Sequence, residues 1–279
     1  MPLSRVDAAP TAGQTGSIVP FDPHRFRSAA THYLAGRPPY ADRLIRHVAQ
    51  FCGLSDADHV LDLGCGPGQL ARALAPFVRQ VTAIDPEPEM LAAAGKLAQA
   101  SGISNVTFTQ GSSLDLGPHL GRFNLVSIGR AFHWMDRVET LRRLDQMIEP
   151  GGAVVLFDDK HPPLPENAWL GDFEALHERY SGQDCGRRIR KGPDWLPHEV
   201  VLLKSAFPVL DRVSALDRHP LTIDRLINRV LSRSSTTSAR LGEKTAAMAE
   251  DLGKLLAQWG KGGILQEVVE TRALIARRA

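Results

Sequence analysis

Val60-Leu-Asp-Leu-Gly-Cys-Gly-Pro-Gly-Gln-Leu70 is the stretch on which the fold turns. Its opening residues form a short apolar run of buried-strand type, and from Leu70 the apolar spacing becomes helical, with Leu70, Leu74 and Phe77 on one face. Glycine at 64, 66 and 68 removes side chains where a ligand must lie against the backbone, and the helix that follows points its first N–H groups toward that place. A dinucleotide fingerprint would set its third glycine at position 69, where this chain has Gln69. The spacing here is G-x-G-x-G, stiffened by Pro67, and Asp62 adds a carboxylate that would repel a pyrophosphate.

Outward from this turn, strand-like and helix-like patterns alternate. His59–Leu63, Val81–Asp85, Val106–Gln110, Phe123–Ile128 and Ala153–Phe157 are short apolar runs. Between them, Met90, Leu91, Ala94 and Leu97 define one amphipathic helix, and Val138, Leu141, Leu144 and Ile148 define another. That second helix starts with Asp136 and Glu139 in the arrangement of a capping box and stops at Pro150-Gly151-Gly152. A further helix, Ala41 to Phe51, places Leu44, Ile45, Val48 and Phe51 on its apolar face. Such alternation predicts an α/β, Rossmann-like, doubly wound and mostly parallel sheet with helices on both faces.

The rhythm breaks after Asp158. Five prolines between Lys160 and His198 predict an inserted cap with one short helix, Trp169 to Tyr180. The expected organisation is therefore a flexible N-terminal tail at 1–20, a ligand-binding core at 21–159, a cap at 160–198, and the rest of the domain at 199–279. In that last part a helix is expected at His198–Phe207, a strand at Val209–Val213, helices at Ile223–Leu231 and Arg240–Trp259, and a closing strand at Ile264–Ala276.

The second strand ends in Asp85, 21 residues after Gly64, where a carboxylate can accept two ribose hydroxyls, and Pro86 and Met90 stand where they can flank a purine. Together these residues resemble the class I S-adenosylmethionine-dependent methyltransferases, whose first motif is this D-x-G-x-G-x-G segment and whose second strand closes on an acid. The resemblance covers roughly residues 21–160, and the remainder more loosely. It implies S-adenosylmethionine as cofactor, held by Gly64, Gly66, Gly68 and Asp85, with Asp62 near the methionine amino group. Gly111-Ser112-Ser113-Leu114-Asp115 looks like the family's adenine-contacting turn, and Gly129 closes the fourth strand nearby. Asn124 and Leu114 stand where acidic residues are common in the family; the first weakens nothing essential, and the second leaves the adenine to backbone groups and Asp115.

Ala131-Phe-His-Trp134 and Tyr33-Leu-Ala-Gly-Arg-Pro-Pro-Tyr40 are similar to small-molecule methyltransferases of the trans-aconitate methyltransferase type. By that resemblance Tyr33 covers the cofactor and Arg37 pairs with its carboxylate; the alternative for Arg37 is a surface arginine beside a Pro-Pro turn. His133 stands just beyond the fourth strand, where it can accept a proton from a methyl acceptor or simply pack beside Trp134. In the cap, Trp169, Tyr180 and Trp195 can line an acceptor pocket or only pack the cap. Arg188, in the run Arg187–Lys191, can attract an anionic substrate or face solvent. The reaction implied is in-line displacement by an oxygen, nitrogen or carbon nucleophile, driven chiefly by alignment.

Composition narrows the partners. A net charge of +2 and an even spread of charge do not describe a nucleic-acid footprint. An Asn- or Asp-Pro-Pro-aromatic tetrapeptide, which adenine-amino methylation would need, is replaced after the fourth strand by Gly129-Arg-Ala-Phe132. Cys52, Cys65 and Cys185 are too scattered for a disulfide framework or a metal site, and no apolar run approaches the roughly 18 residues of a membrane span. The expectation is a cytoplasmic enzyme, monomeric or homodimeric, acting on a small molecule without metal, nucleic acid or membrane. Two alternatives stay open: a nicotinamide-dependent oxidoreductase on the same fold, and a non-catalytic protein that keeps the cofactor pocket.

Overall fold

The computed structural model describes residues 18–279 except 23, 24, 27, 183 and 184. Most of the tail read at 1–20 lies outside the described residues. Seven strands form one sheet: β1 His59–Leu63, β2 Gln80–Asp85, β3 Val106–Gln110, β4 Phe123–Gly129, β5 Ile148–Lys160, β6 Val209–Leu221 and β7 Leu265–Arg277. Their order is β3-β2-β1-β4-β5-β7-β6. Strands β1 to β5 pair in parallel, and β7 runs antiparallel to both β5 and β6. The order reverses at β1, so the glycine turn sits at the switch point, where open α/β sheets leave a crevice beyond the strand ends.

Alternate side chains of each strand go to opposite faces, and each face has its own core. Val60, Val155 and Phe157 join Leu44, Ile45 and Val48 of α2 (Asp42–Phe51), which follows α1 (Ala30–Gly36), and Leu70 and Leu74 of α3 (Gln69–Leu74). Leu61, Leu63, Val154 and Leu156 pack on the other face, beyond α4 (Pro88–Ala100) in the chain, with Leu141 and Leu144 of α5 (Arg137–Asp145). A third core gathers α6 (Leu170–Tyr180), which precedes α7 (Cys185–Lys191) and α8 (His198–Leu203), with the helices between β6 and β7: α9 (Ile223–Leu231), α10 (Ser238–Leu241) and α11 (Lys244–Trp259). Two insertions, one after β5 and one after β6, thus share one core at the edge where the parallel strands end. The covering layer draws on residues 221–265 as well as on 160–198.

Several expectations are corrected in detail. The cap segment holds two helices, α6 and α7, rather than one. Strand β6 runs eight residues past Val213; its exposed positions mix Arg212 and Arg218 with Ser214, Leu216 and Pro220, which suits an edge strand and hides the period-two pattern. The helix read at Arg240–Trp259 is broken at Gly242, whose φ is +52°. Pro150-Gly151-Gly152 lies within the irregular start of β5, where a Cβ on Gly152 would stand 2.7 Å from the Asn124 carbonyl oxygen. Asp136 does cap α5 by accepting the Glu139 N–H at 3.1 Å, but the Glu139 carboxylate turns to Arg142 and Arg143 on its own helix face and the reciprocal bond is not made. Phe51, expected inside, is 44% exposed at the end of α2, with the Arg277 guanidinium over its ring.

Candidate functional site

The glycine turn is anchored before any ligand arrives. Gly64 and Cys65 both donate backbone N–H bonds to the Ile84 carbonyl, which clips the turn to the end of β2. Gly64, Gly66 and Gly68 have φ of +70°, +53° and +72°, a region side chains resist. Their spatial reasons differ. A Cβ on Gly64 would collide with Ala131 at 2.7 Å, whereas one on Gly66 would meet no protein atom within 4 Å. Gly68 is packed tightly against Phe108 and Ala94, so it serves the junction of α3 with the sheet.

Two buried acids hold the turn from behind and from the side. Asp62 is 1% exposed; its carboxylate accepts the Ala71 N–H at 2.9 Å and the Ser127 hydroxyl at 2.9 Å. Burial pushes its acid up to about 7, and the two hydrogen bonds offset only part of that. Asp85 accepts the Gly66 N–H at 2.8 Å and the Glu87 N–H at 2.9 Å, and burial raises it to about 6. Glu87 stands beside it with Oε2 buried and no hydrogen-bond partner among the described residues. Such an oxygen is costly unless a donor reaches it.

These groups surround a first cavity. Gly64, Gly66, Asp85, Pro86 and Met90 line one side, Ser112, Ser113 and Gly129 another, and Tyr33 and Trp134 the cover. Phe21, Asp22, Arg25 and Phe26 of the N-terminal segment complete it. A second cavity opens beyond β4 and β5, walled by His133, Asp158, Asp159 and Phe157 below and by Glu174, His177, Arg190 and Arg233 of the cap above. Phe26, Tyr33, Arg130, Ala131 and Trp134 line both. The partition is stiff: Arg130, at φ +55°, is ion-paired with Asp159, donates to the Pro38 carbonyl and lies over the Tyr40 ring. Trp134 is held between two guanidinium groups, Arg25 at 4.5 Å and Arg190 at 4.3 Å from its ring centroid.

Ten of the residues singled out in the sequence thus meet at the first cavity. Others do not. Asp62 is sealed behind the turn and touches neither cavity, so it shapes the loop. Leu114 is 52% exposed, while Ser112 and Asp115 spend their side chains on each other and on the turn as a capping box. Arg37 lines the second cavity, beside His133. His133 lies against Trp134, ring centroids 4.5 Å apart and tilted by 51°, with neither ring nitrogen hydrogen-bonded among the described residues. Burial, then Arg190, His198, Arg37 and Arg137, hold its imidazole well below the usual value, so it is neutral at pH 7.

The cap residues are corrected most. Trp169 is 2% exposed in the third core and donates to the Gln266 carbonyl, and Tyr180 is hydrogen-bonded to Asp251. Both do packing work away from the cavities. Arg188 is exposed and lines neither, whereas its neighbour Arg190 reaches the second cavity. Sequence reading missed Glu87, Arg130, His198 and Arg233. One signal was present: the polar run Ser232–Ser238, whose Ser232, Thr236 and Thr237 are at most 2% exposed, and whose Ser234 and Ser235 line the second cavity. Buried polar groups need partners, so a polar run that a loop buries calls for a reason.

Comparison with known proteins places the chain in a family. A methyltransferase domain model matches residues 60–152. An uncharacterised methyltransferase of Mycobacterium tuberculosis is 30% identical over 223 residues, covering 79% of this chain and 82% of its own length. The chain belongs to the S-adenosylmethionine-dependent methyltransferases. An uncharacterised methyltransferase of Bacillus subtilis is 32% identical to this methyltransferase over 111 residues, 39% of the chain and 44% of the relative, so the match spans less than half of that protein. Among solved structures, a methyltransferase of Thiobacillus denitrificans in complex with S-adenosyl-L-homocysteine shares the fold, with a TM-score of 0.52 at 19% identity over 94% of this chain and 100% of that one. The first cavity of this methyltransferase suits the family's cofactor on two internal observations: the open space at Gly66, and the unpartnered Glu87 oxygen next to Asp85, where hydroxyl donors are needed. Among the described residues no helix is long and apolar enough to cross a membrane.

Proposed function

We propose that this methyltransferase transfers a methyl group from S-adenosylmethionine to a small-molecule acceptor, with the cofactor in the first cavity and the acceptor in the second. One observation carries the reading: the two cavities share a wall of Tyr33, Arg130, Ala131 and Trp134, so molecules in each meet at one place. When bound, the cofactor supplies an already activated methyl group. The chain's own residues do the rest. Asp85 and Glu87 accept the ribose hydroxyls, Met90 and Pro86 flank the adenine with the Ser112–Ser113 turn, and Tyr33 and Trp134 cover the junction and exclude water. His133, neutral and unbonded, takes the proton that an oxygen or nitrogen acceptor releases.

An acceptor of modest size is favoured by the volume of the second cavity between sheet and cap, about 410 Å³. The buried thiol of Cys65, inside the glycine turn, suits a reducing cytoplasm. The nicotinamide alternative is disfavoured by the glycine spacing and by Gln69. The test is incubation with labelled S-adenosylmethionine and a cell extract, followed by mass spectrometry of the labelled products. Label in compounds below about 1 kDa supports the reading; label only in macromolecules, or none despite cofactor binding, contradicts it.

A further inference from the structure

The second cavity carries more positive charge than its own acids balance. Arg130 is paired with Asp159 and Arg233 with Glu174, while Asp158 is held at two points by Arg272 from outside the cavity. Arg37 has no carboxylate partner among the described residues. Its Nη2 donates to the Ser232 carbonyl at 3.1 Å, and its Nε is buried with no partner. Burial above all lowers this guanidinium to about 10, with the charges of Arg233 and Arg130 adding to it and Tyr33 and Asp159 offsetting it only in part. An anion entering the cavity would relieve that repulsion and desolvation at once.

His133 lines the same cavity, close enough for the Arg37 charge to depress it. The two groups suit different partners. A carboxylate held by a guanidinium is already ionised, is made less nucleophilic by the charge that holds it, and needs no base. A neutral imidazole serves a nucleophile that must give up a proton. The cavity encloses about 410 Å³, within the range of small-molecule sites, so one molecule can satisfy both.

We propose that the acceptor is a small organic acid with a separate hydroxyl, phenol or amine: its carboxylate docks on Arg37 and survives in the product, and the methyl group goes to the protic group beside His133. This rests on the methyl-transfer reading above. The acceptor's oxygen or nitrogen forms a bond to the methyl carbon as the carbon–sulfur bond breaks and leaves its electron pair on sulfur. The acceptor's proton passes to His133 and from there to water.

The test uses the purified full chain, methyl-tritiated S-adenosylmethionine and a metabolite extract split by an anion exchanger into retained and unretained pools. Label is expected in products from the retained pool, which still bind the exchanger and release no volatile labelled methanol in mild alkali. Label confined to the unretained pool, or methanol released by alkali because the carboxylate itself was esterified, overturns the proposal. Arg37→Gln is expected to lose about tenfold or more of this incorporation, and Arg37→Lys less, while S-adenosylhomocysteine affinity by calorimetry stays within about twofold. A large loss of that affinity in Arg37→Gln would put Arg37 on the cofactor's carboxylate and overturn the assignment. Should Arg37→Gln fail to fold, the fractionation with the unaltered chain decides alone. Failure of the unaltered chain to bind S-adenosylhomocysteine would instead remove the methyl-transfer reading itself.

Discussion

The Gly66 N–H donates to Asp85 Oδ2 at 2.8 Å, so the turn after β1 and the acid that closes β2 form one unit. With Glu87 N–H on the other oxygen, Asp85 is aimed before a ligand is present, and little ordering remains to be done on binding. Replacing Asp85 by Ala removes a charge-assisted acceptor and frees two backbone donors. S-adenosylmethionine affinity should fall by about 1–3 kcal/mol in calorimetry. Unchanged affinity would take Asp85 out of the site.

Asp62 and Asp85 give the apoprotein a definite pH dependence. Their folded-state values, about 7 and about 6, lie above the ordinary 3.8, so between roughly pH 4 and 7 the folded chain holds protons that the unfolded chain has lost. These two groups therefore make stability fall as pH rises through that window. Asp62→Asn keeps an acceptor for the Ala71 N–H and turns an amide toward the Ser127 hydroxyl, without the buried charge. The melting temperature of this variant should lose less than the unaltered chain between pH 5 and pH 8, by several degrees at about 2–4 °C per kcal/mol. Parallel pH profiles would show that Asp62 is not the buried acid described.

The same shifts reach the ligand. S-adenosylmethionine carries positive charge, so its affinity should rise as Asp85 ionises between roughly pH 5 and 7. Isothermal titration at pH 5 and pH 8 checks this, and a flat or falling affinity would contradict the carboxylate's part.

His133 is held neutral by burial and by four cationic or titratable neighbours, so turnover at saturating cofactor should stay level from pH 8 down to pH 6, where an ordinary histidine would already protonate. His133→Ala should slow the chemical step by about 10²–10⁴ and leave cofactor affinity unchanged. Full activity in that variant would reduce the residue to packing against Trp134.

Much of this was legible in the residues, for physical reasons that also explain the gaps. Strands β1, β2 and β4 are buried on both faces, so their apolar runs announce themselves, and the turn at Gly64–Gly68 can be read because only glycine tolerates its backbone. Strand β6 hides behind Arg212 and Arg218, exposed at the sheet edge, and behind Asp211 and Asp217, half-buried in ion pairs with Arg277 and Arg43. The second cavity could not be read at all from spacing. Arg37, His133, Glu174 and Arg233 come from four separate segments, and only the packing of α1 on α9, and of α6 and α9 together on α11, brings the covering ones together. Trp169 and Tyr180 misled for the complementary reason: large aromatics are what the core of a cap requires.

That packing has its own test. A Cβ on Gly36, at the end of α1, would lie 2.3 Å from the Asn228 carbonyl oxygen and 2.5 Å from the Arg229 nitrogen, both backbone atoms of α9. Gly36→Ala should cost about 1–3 kcal/mol and weaken cofactor binding as well, because α1 carries Tyr33. Gly95→Ala, inside α4 with nothing within 4 Å, should be neutral or stabilise by about 0.5–1 kcal/mol. Equal melting temperatures for the two variants would mean that α1 does not dock on α9 as described.

The most direct test of the central claim is isothermal titration of the purified chain with S-adenosylhomocysteine, beside Gly66→Val and with NADH as the control ligand. A Cβ at 66 meets no protein atom within 4 Å, so a side chain there would grow into the space left beside Asp85. The unaltered chain should bind one S-adenosylhomocysteine and no NADH, and Gly66→Val should bind neither while remaining folded by circular dichroism. Saturable NADH binding without any S-adenosylhomocysteine binding, or undiminished affinity in Gly66→Val, would contradict the assignment of this cavity.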